Sequence, residues 1–448
     1  MSDRDQTGVL LPQQPIDRLI APIERFLHVE AASGIVLLSC TVVALVLANS
    51  GWSEGFLGLW NTKVGIQLGS VELMHSLQHW INDGAMAIFF FVIGLEVKRE
   101  IVLGELRDAR KAALPLAAAL GGMIVPAGLY LALQHGKAGQ SGWGISMATD
   151  IAFVVGCMAV LGPRIPPSFR VMILSLAIVD DIGAILVIAI GYSESINLIA
   201  LGLGFAGVIL VPGMWRLGIR NPLVHGAVGI GVWLAFHESG VHATIAGVLL
   251  GLVTPTSAHV SSGVFMQGIR RVGEIFRGEG WANTAHRAAK VRVMKKFARE
   301  SISPVEYLEG ALHPWVSFVI MPMFALANAG VPFVVSDVLD PVALTIVVSL
   351  TIGKPIGIVG ASWIAVRAGI ASLPQGVSWP VLVGGGLLAG IGFTMALFIA
   401  GLALEGPLLA TAKVGVLGAS VIAGVAGMSL LLIVLPRPGD STSREEPT

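Results

Sequence analysis

The sequence predicts an all-α polytopic membrane protein of about twelve transmembrane helices. Composition, the spacing of apolar runs and the distribution of basic residues point to it together. Of 448 residues, 54% are hydrophobic and only 12% are charged, with a mean hydropathy of +0.81. Soluble chains carry roughly 25% charged residues, enough to cover a water-facing surface, whereas a surface that meets lipid needs no such cover. The formal net charge of +0 gives no footing for a nucleic-acid partner. Cys40 and Cys157 both lie in apolar runs, so neither a disulfide framework nor a cysteine metal site is indicated.

Apolar runs long enough to be spans fall at about 33–49, 81–97, 112–133, 143–162, 170–192, 197–215, 222–236, 240–254, 313–334, 341–366, 379–403 and 411–435. The pair 222–236 and 240–254 is short, and the polar turn His237, Glu238, Ser239, Gly240 is what divides it in two. The N-terminal segment 1–32 is mixed and charged, unlike a signal peptide. Spans 1–8 then occupy 33–254, a long polar loop 255–312, spans 9–12 occupy 313–435, and the Pro-, Ser-, Thr- and Glu-rich tail 436–448 reads as disordered. With both termini inside the cell, 24 of the 28 Lys and Arg fall on the cytoplasmic side, nine of them in 255–312. Lys63, Lys137 and Lys413 fall on the other side, and Lys354 lies within a span. A miscount by one helix would scramble this asymmetry. Between the first two spans, TKVGIQLGSVEL alternates in hydropathy, as an external β-hairpin would.

Chemistry is expected where charge sits in apolar sequence, because an ionised side chain at mid-bilayer costs at least about 2.5–3.5 kcal/mol. Asp150 in SMATDIAFVVG, Asp180 and Asp181 in LAIVDDIGAILVIA, and Lys354 in TIGKPIGIVG meet that condition. Three acids against one base leave negative charge uncompensated. Neighbours on a helix point about 100° apart, so the two adjacent aspartates have different roles: one faces water and accepts a cation or a proton, the other pairs with Lys354. A cation and a proton competing for one carboxylate, joined to alternating access, are sufficient for exchange. Gly142, Gly144 and Thr149 interrupt one span, and Gly384, Gly385, Gly386, Gly390 and Gly392 another, as broken helices around a midplane ion site would require.

The strings WINDGAMAIFFFVIGLEVKREI, ALPLAAALGGMIVPA, ATDIAF, LAIVDDIGA, ESGVHATIAGVLLG, LHPWVSFVIMPMFALANAGV, GKPIGI and GIGFTMALFIAGLA resemble, in order and over roughly residues 29–436, the NhaA family of sodium/proton antiporters. The resemblance implies that family's inverted repeats with two crossing discontinuous helices, and a secondary transporter of the bacterial inner membrane rather than an enzyme. Its cargo would be Na+ or Li+ and H+, with no cofactor. Asp181 matches the central cation- and proton-binding aspartate, Asp180 its partner, Lys354 the lysine paired with it, and Asp150 with Thr149 the acid at the helix crossing. Na+ or Li+ would bind at Asp180 and Asp181. Asp83 and Glu96 match acids of a cytoplasmic funnel, and Glu96, Arg99, Glu100, His242, Glu309 and His313 match positions tied to the pH response. Members exchange two protons inward for one sodium outward, and in them a hairpin like TKVGIQLGSVEL joins two protomers. The length of 255–312 and Gly310, where a histidine can follow the glutamate, depart from the family pattern and bear on the pH profile.

Rival activities fit less well. An intramembrane aspartyl protease would need neither Lys354 nor an adjacent acid pair, and its GxGD string is missing. A cation channel would present ringed or repeated acids. The nearest alternative is a sodium-coupled organic-solute symporter, which would need a sizeable substrate pocket.

Overall fold

The computed structural model describes residues 30–68, 71–193, 196–258, 292, 298 and 300–436. The N-terminal segment up to residue 29, the tail from 437 and most of the loop 255–312 lie outside the described residues.

Helix α1 (Glu30–Ala48) runs into α2 (Ser53–Asn61) through a 115° bend. Strands β1 (Lys63–Leu68) and β2 (Val71–Ser76) pair antiparallel, Lys63 opposite Ser76 and Leu68 opposite Val71. This hairpin, the one the alternation predicts, is tied down where Trp80 Nε1 donates to the Val64 carbonyl at 2.7 Å. A single turn Leu77–His79 and a π-helical turn Trp80–Ala85 lead into α3 (Met86–Val102). Next come α4 (Ala109–Gln134), a 3-10 helix Ala138–Met147, α5 (Ile151–Leu161), α6 (Pro167–Gly191), α7 (Leu198–Arg216), α8 (Pro222–His237) and α9 (Thr244–Val253). After the long loop, α10 (Pro304–Asn328), α11 (Pro341–Arg367), α12 (Trp379–Ala389), α13 (Phe393–Ala403) and α14 (Gly406–Val434) complete the described chain.

Six of these helices (α4, α6, α7, α10, α11 and α14) are long and apolar enough to cross a bilayer, or nine spans if each bent pair is one. The outward faces are apolar. Ile190 is 81%, Ile209 71% and Val421 66% exposed, whereas Asp150, Asp180, Asp181 and Lys354 are buried. This inversion of the water-soluble pattern is what lipid as solvent selects. The apolar window places the ninth span at 313–334, but the helix starts nine residues earlier. Ser303 and Glu306 form a reciprocal capping box with Pro304 as the first helical residue between them, a local hydrogen-bonded start that hydropathy does not register.

Close helix crossings are built on glycine. On α4, a Cβ at Gly121 would lie 2.1 Å from the Gly357 carbonyl of α11, and a Cβ at Gly247 of α9 would lie 2.1 Å from the Ala87 carbonyl of α3. Only hydrogen fits at these contacts. Gly122, beside the first of them, has Lys354 Cε within 3.9 Å of its Cβ position. The α4–α11 crossing therefore fixes the depth at which Lys354 sits.

Candidate ion site

Two helix breaks meet at the centre. The 3-10 helix Ala138–Met147 and α5 are bent by 43° at Ala148–Asp150, and α12 and α13 by 46° at Gly390–Gly392. Asp150 N donates to the Ile391 carbonyl at 2.7 Å, and a Cβ on Gly392 would stand 3.3 Å from the Ala148 carbonyl. Each break leaves backbone donors and acceptors that hydrocarbon cannot satisfy. The side chains satisfy them according to sign. Asp150 caps α5 by accepting from Phe153 N at 3.3 Å, and it also accepts from Thr394 N at 3.0 Å and from the Thr394 hydroxyl. Its carboxylate therefore faces the positive N-terminal ends of both α5 and α13. At the C-terminal ends, Lys354 Nζ donates to the Met147 carbonyl, and Thr149 Oγ1 shares its proton between the Ala389 carbonyl at 3.0 Å and Asp180 Oδ2 at 2.6 Å.

Lys354 arrives there by its own local irregularity. It follows a π-helical turn Ser349–Gly353 and precedes Pro355, whose missing N–H removes one i→i−4 bond. Its ammonium lies 3.0 Å from Asp180 Oδ2, with both side chains fully buried. The adjacent Asp181, 2% exposed, makes no hydrogen bond or ion pair among the described residues and faces a cavity instead. Thus Asp180 is neutralised by Lys354, and Asp181 is the carboxylate presented to solvent.

That cavity, about 1020 Å³, runs from Asp181, Asp150, Thr149 and Thr394 to a charged mouth at Arg107, Asp108 and Lys111 between α3 and α4. Its wall carries two side-chain pairs that tie α3 to α10. Arg99 Nη1 lies 2.5 Å from Glu309 Oε1, and His313 Nδ1 lies 3.6 Å from Glu96 Oε1. Glu100 accepts from the Glu105 amide at 2.9 Å, where the chain turns into the mouth.

A profile of the Na+/H+ antiporter 1 family matches residues 24–431. The chain belongs to that family. A Na+/H+ antiporter NhaA of Rhodopirellula baltica is 54% identical over 433 residues, covering 97% of this chain and 98% of its own. One of Rhizobium meliloti is 52% identical over 427 residues (95% and 98%), and NhaA 2 of Vibrio vulnificus is 47% identical over 421 residues (94% of each). None of the three is named as a solute symporter. With its apolar helices, this antiporter-family chain is a multi-pass bacterial membrane protein.

The structure gathers Asp150, Thr149, Asp180, Asp181 and Lys354 at one place, and Glu96, Arg99, Glu100, Glu309 and His313 along the cavity. It does not bring Asp83 or His242 there. Asp83 lies thirteen residues before Glu96, about 20 Å along a helix axis, and its carboxylate faces His79 and His237 beside the hairpin. The funnel placement expected for Asp83 is therefore corrected, because one helix that spans the bundle carries Asp83 and Glu96 to opposite ends. His242 does not line the cavity. Its Nδ1 lies 3.0 Å from Thr244 Oγ1, and its ring packs edge-on against Phe398. Sequence reasoning missed Thr394, a neutral residue in GIGFTMALF; the capping demand of Asp150 is the signal that points to it. It also missed the amides Asn82 and Asn328, which exchange hydrogen bonds of 2.7 and 3.3 Å between the π-helical turn ahead of α3 and the end of α10.

Proposed function

We propose that this protein exchanges Na+ or Li+ for H+ across the bacterial inner membrane, with Asp181 as the carboxylate that holds either ion in turn. The observation that carries this reading is the division of labour between adjacent aspartates. Asp180 is neutralised by Lys354 at 3.0 Å, while Asp181 is left without a partner at the inner end of the cavity. A desolvated carboxylate that meets water along one route must take up a proton or a cation to lower its self-energy, and competition between the two couples the fluxes. A hard monovalent cation suits oxygen ligands, which Asp181 supplies with Asp150 and Thr149 on the same cavity wall.

In this reading twelve segments cross the membrane, counting α1, α3, α8, α9 and the two broken pairs beside the six long helices. Both termini are cytoplasmic, and the broken pairs cross as discontinuous helices at mid-depth. The mouth at Arg107 and Lys111 is then cytoplasmic, and the Glu96–His313 and Arg99–Glu309 pairs are where cytoplasmic pH acts. Exchange is electrogenic by family pattern, and β1–β2 joins two protomers.

The test is proton flux in proteoliposomes. A pH gradient is imposed, Na+, Li+, K+ or no cation is added, and the parent is compared with Asp181→Asn. Collapse of the gradient by Na+ or Li+ that disappears in the variant is expected. If no alkali cation moves protons between about pH 6.5 and 9, a window that runs from the ordinary histidine pKa into the alkaline range, exchange is the wrong activity. If Asp181→Asn exchanges as the parent does, the site is wrong.

A further inference from the structure

A second cluster of titratable groups lies outside the cavity. His75 from β2, His79 from the turn that follows, Asp83 from the π-helical turn Trp80–Ala85, and His237 at the end of α8 converge on one point. The first three follow one another at four-residue spacing, and the fourth comes from a segment more than 150 residues away. One ring nitrogen from each of the three histidines lies within 4.8 Å of the others. Asp83 Oδ2 is 3.5 Å from His79 Nε2 and 3.8 Å from His237 Nδ1.

We propose that His75, His79, His237 and Asp83 form a binding site for a divalent transition-metal ion of the zinc class.

The donor set and the distances both support this. Ligand bonds of about 2.0–2.2 Å in a tetrahedron put donor atoms about 3.3–3.6 Å apart. The Asp83–His79 separation already has that value and Asp83–His237 exceeds it slightly. The remaining gap closes by ring rotation, which opens the His75–His79 stack now at 4.2 Å between centroids. Ring packing accounts for part of the cluster, since His237 also stacks on Trp233. It does not account for the buried His79 Nε2, which has no hydrogen-bond partner although it faces Asp83 and the other imidazoles. A metal ion supplies what that nitrogen lacks. Three imidazoles and one carboxylate suit Zn2+, Ni2+ or Cu2+ and not the hard, oxygen-seeking Na+, Mg2+ or Ca2+, so the site is distinct from the transport site in chemistry as well as in place. Its ligands belong to the hairpin, the turns that lead into α3 and the end of α8, and a bound ion fastens the three together.

The full chain, purified in detergent with its affinity tag removed, is titrated with Zn2+ by calorimetry and with Co2+ by visible absorption. One equivalent of Zn2+ per chain, bound with a Kd on the order of 1 µM or tighter, and a tetrahedral Co2+ spectrum bleached by Zn2+ are expected. Each of His79→Gln and His237→Gln should weaken binding by at least about the 10–100-fold that even outer-shell changes cost. His225→Gln, remote from the cluster, should not. The Co2+ spectrum of the parent needs no variant to fold: an octahedral spectrum, no stoichiometric binding, or equal affinity in monodisperse His79→Gln and His237→Gln overturns the proposal. None of these readouts depends on transport.

Discussion

Replacing Lys354 by Met deletes the cation that faces Asp180 and leaves a carboxylate that is 1% exposed to find another way of losing its charge. Keeping the charge costs about 3–5 kcal/mol, the usual penalty for removing one partner of a buried pair. The alternative is protonation. At pH 7 it costs about 1.36 kcal/mol for each unit above the ordinary carboxylate value of about 3.9, or about 4 kcal/mol. The variant takes the cheaper route, so the uncompensated charge adds at most about 4 kcal/mol to its stability deficit at pH 7 and about 2 kcal/mol at pH 5.5. The sign follows because lower pH makes the proton easier to acquire. In Lys354→Met/Asp180→Asn no charge remains to neutralise, and Asn still offers Thr149 an acceptor in place of the 2.6 Å bond. What stays lost is mainly the Lys354 bond to the Met147 carbonyl, about 1 kcal/mol. Denaturant unfolding of detergent-solubilised protein between pH 5.5 and 8.5 measures all three. A deficit independent of pH, or a double variant no more stable than the single one, would refute the pairing as the source of the effect.

Two further outcomes follow from the geometry. Thr394→Val keeps the side-chain shape but removes the hydroxyl donor to Asp150, and a hydrogen bond to a charged group is worth about 1.5–3 kcal/mol; Thr394→Ser should retain that stability, and equal unfolding midpoints for the Val and Ser variants would sink the assignment. Gly121→Ala puts a methyl 2.1 Å from the Gly357 carbonyl and should force α4 and α11 apart, whereas Gly128→Ala on the same helix meets nothing within 4 Å. The second substitution is expected to be neutral or stabilising by up to about 0.5–1 kcal/mol, and monodispersity on size exclusion with thermal unfolding separates the two.

Most of what is local was legible in the sequence. An apolar chain with few charges has only the bilayer to fold in, and helices are the way such a chain satisfies its backbone. Asp150, Asp180, Asp181 and Lys354 stand out because charge in an apolar run is expensive, and Gly390 and Gly392 mark one break, whereas Gly142 and Gly144 lie within the 3-10 helix that precedes the other. The antiporter family was legible too, since its motifs are short strings of neighbouring residues. The tertiary structure decided how residues far apart in the chain combine. The 100° turn between Asp180 and Asp181 says that their roles differ, but only the approach of α11, set by Gly121 against Gly357, says which one meets Lys354. Thr394 carries no charge and belongs to the site because Asp150, 244 residues earlier, needs a donor there. Asp83 reads as a funnel acid until the length of α3 sends it to the far end, where His75, His79 and His237 meet it. Hydropathy and motif record each residue's own transfer cost and its immediate neighbours. Partnership depends on where helices cross, and that is set by packing across the whole bundle.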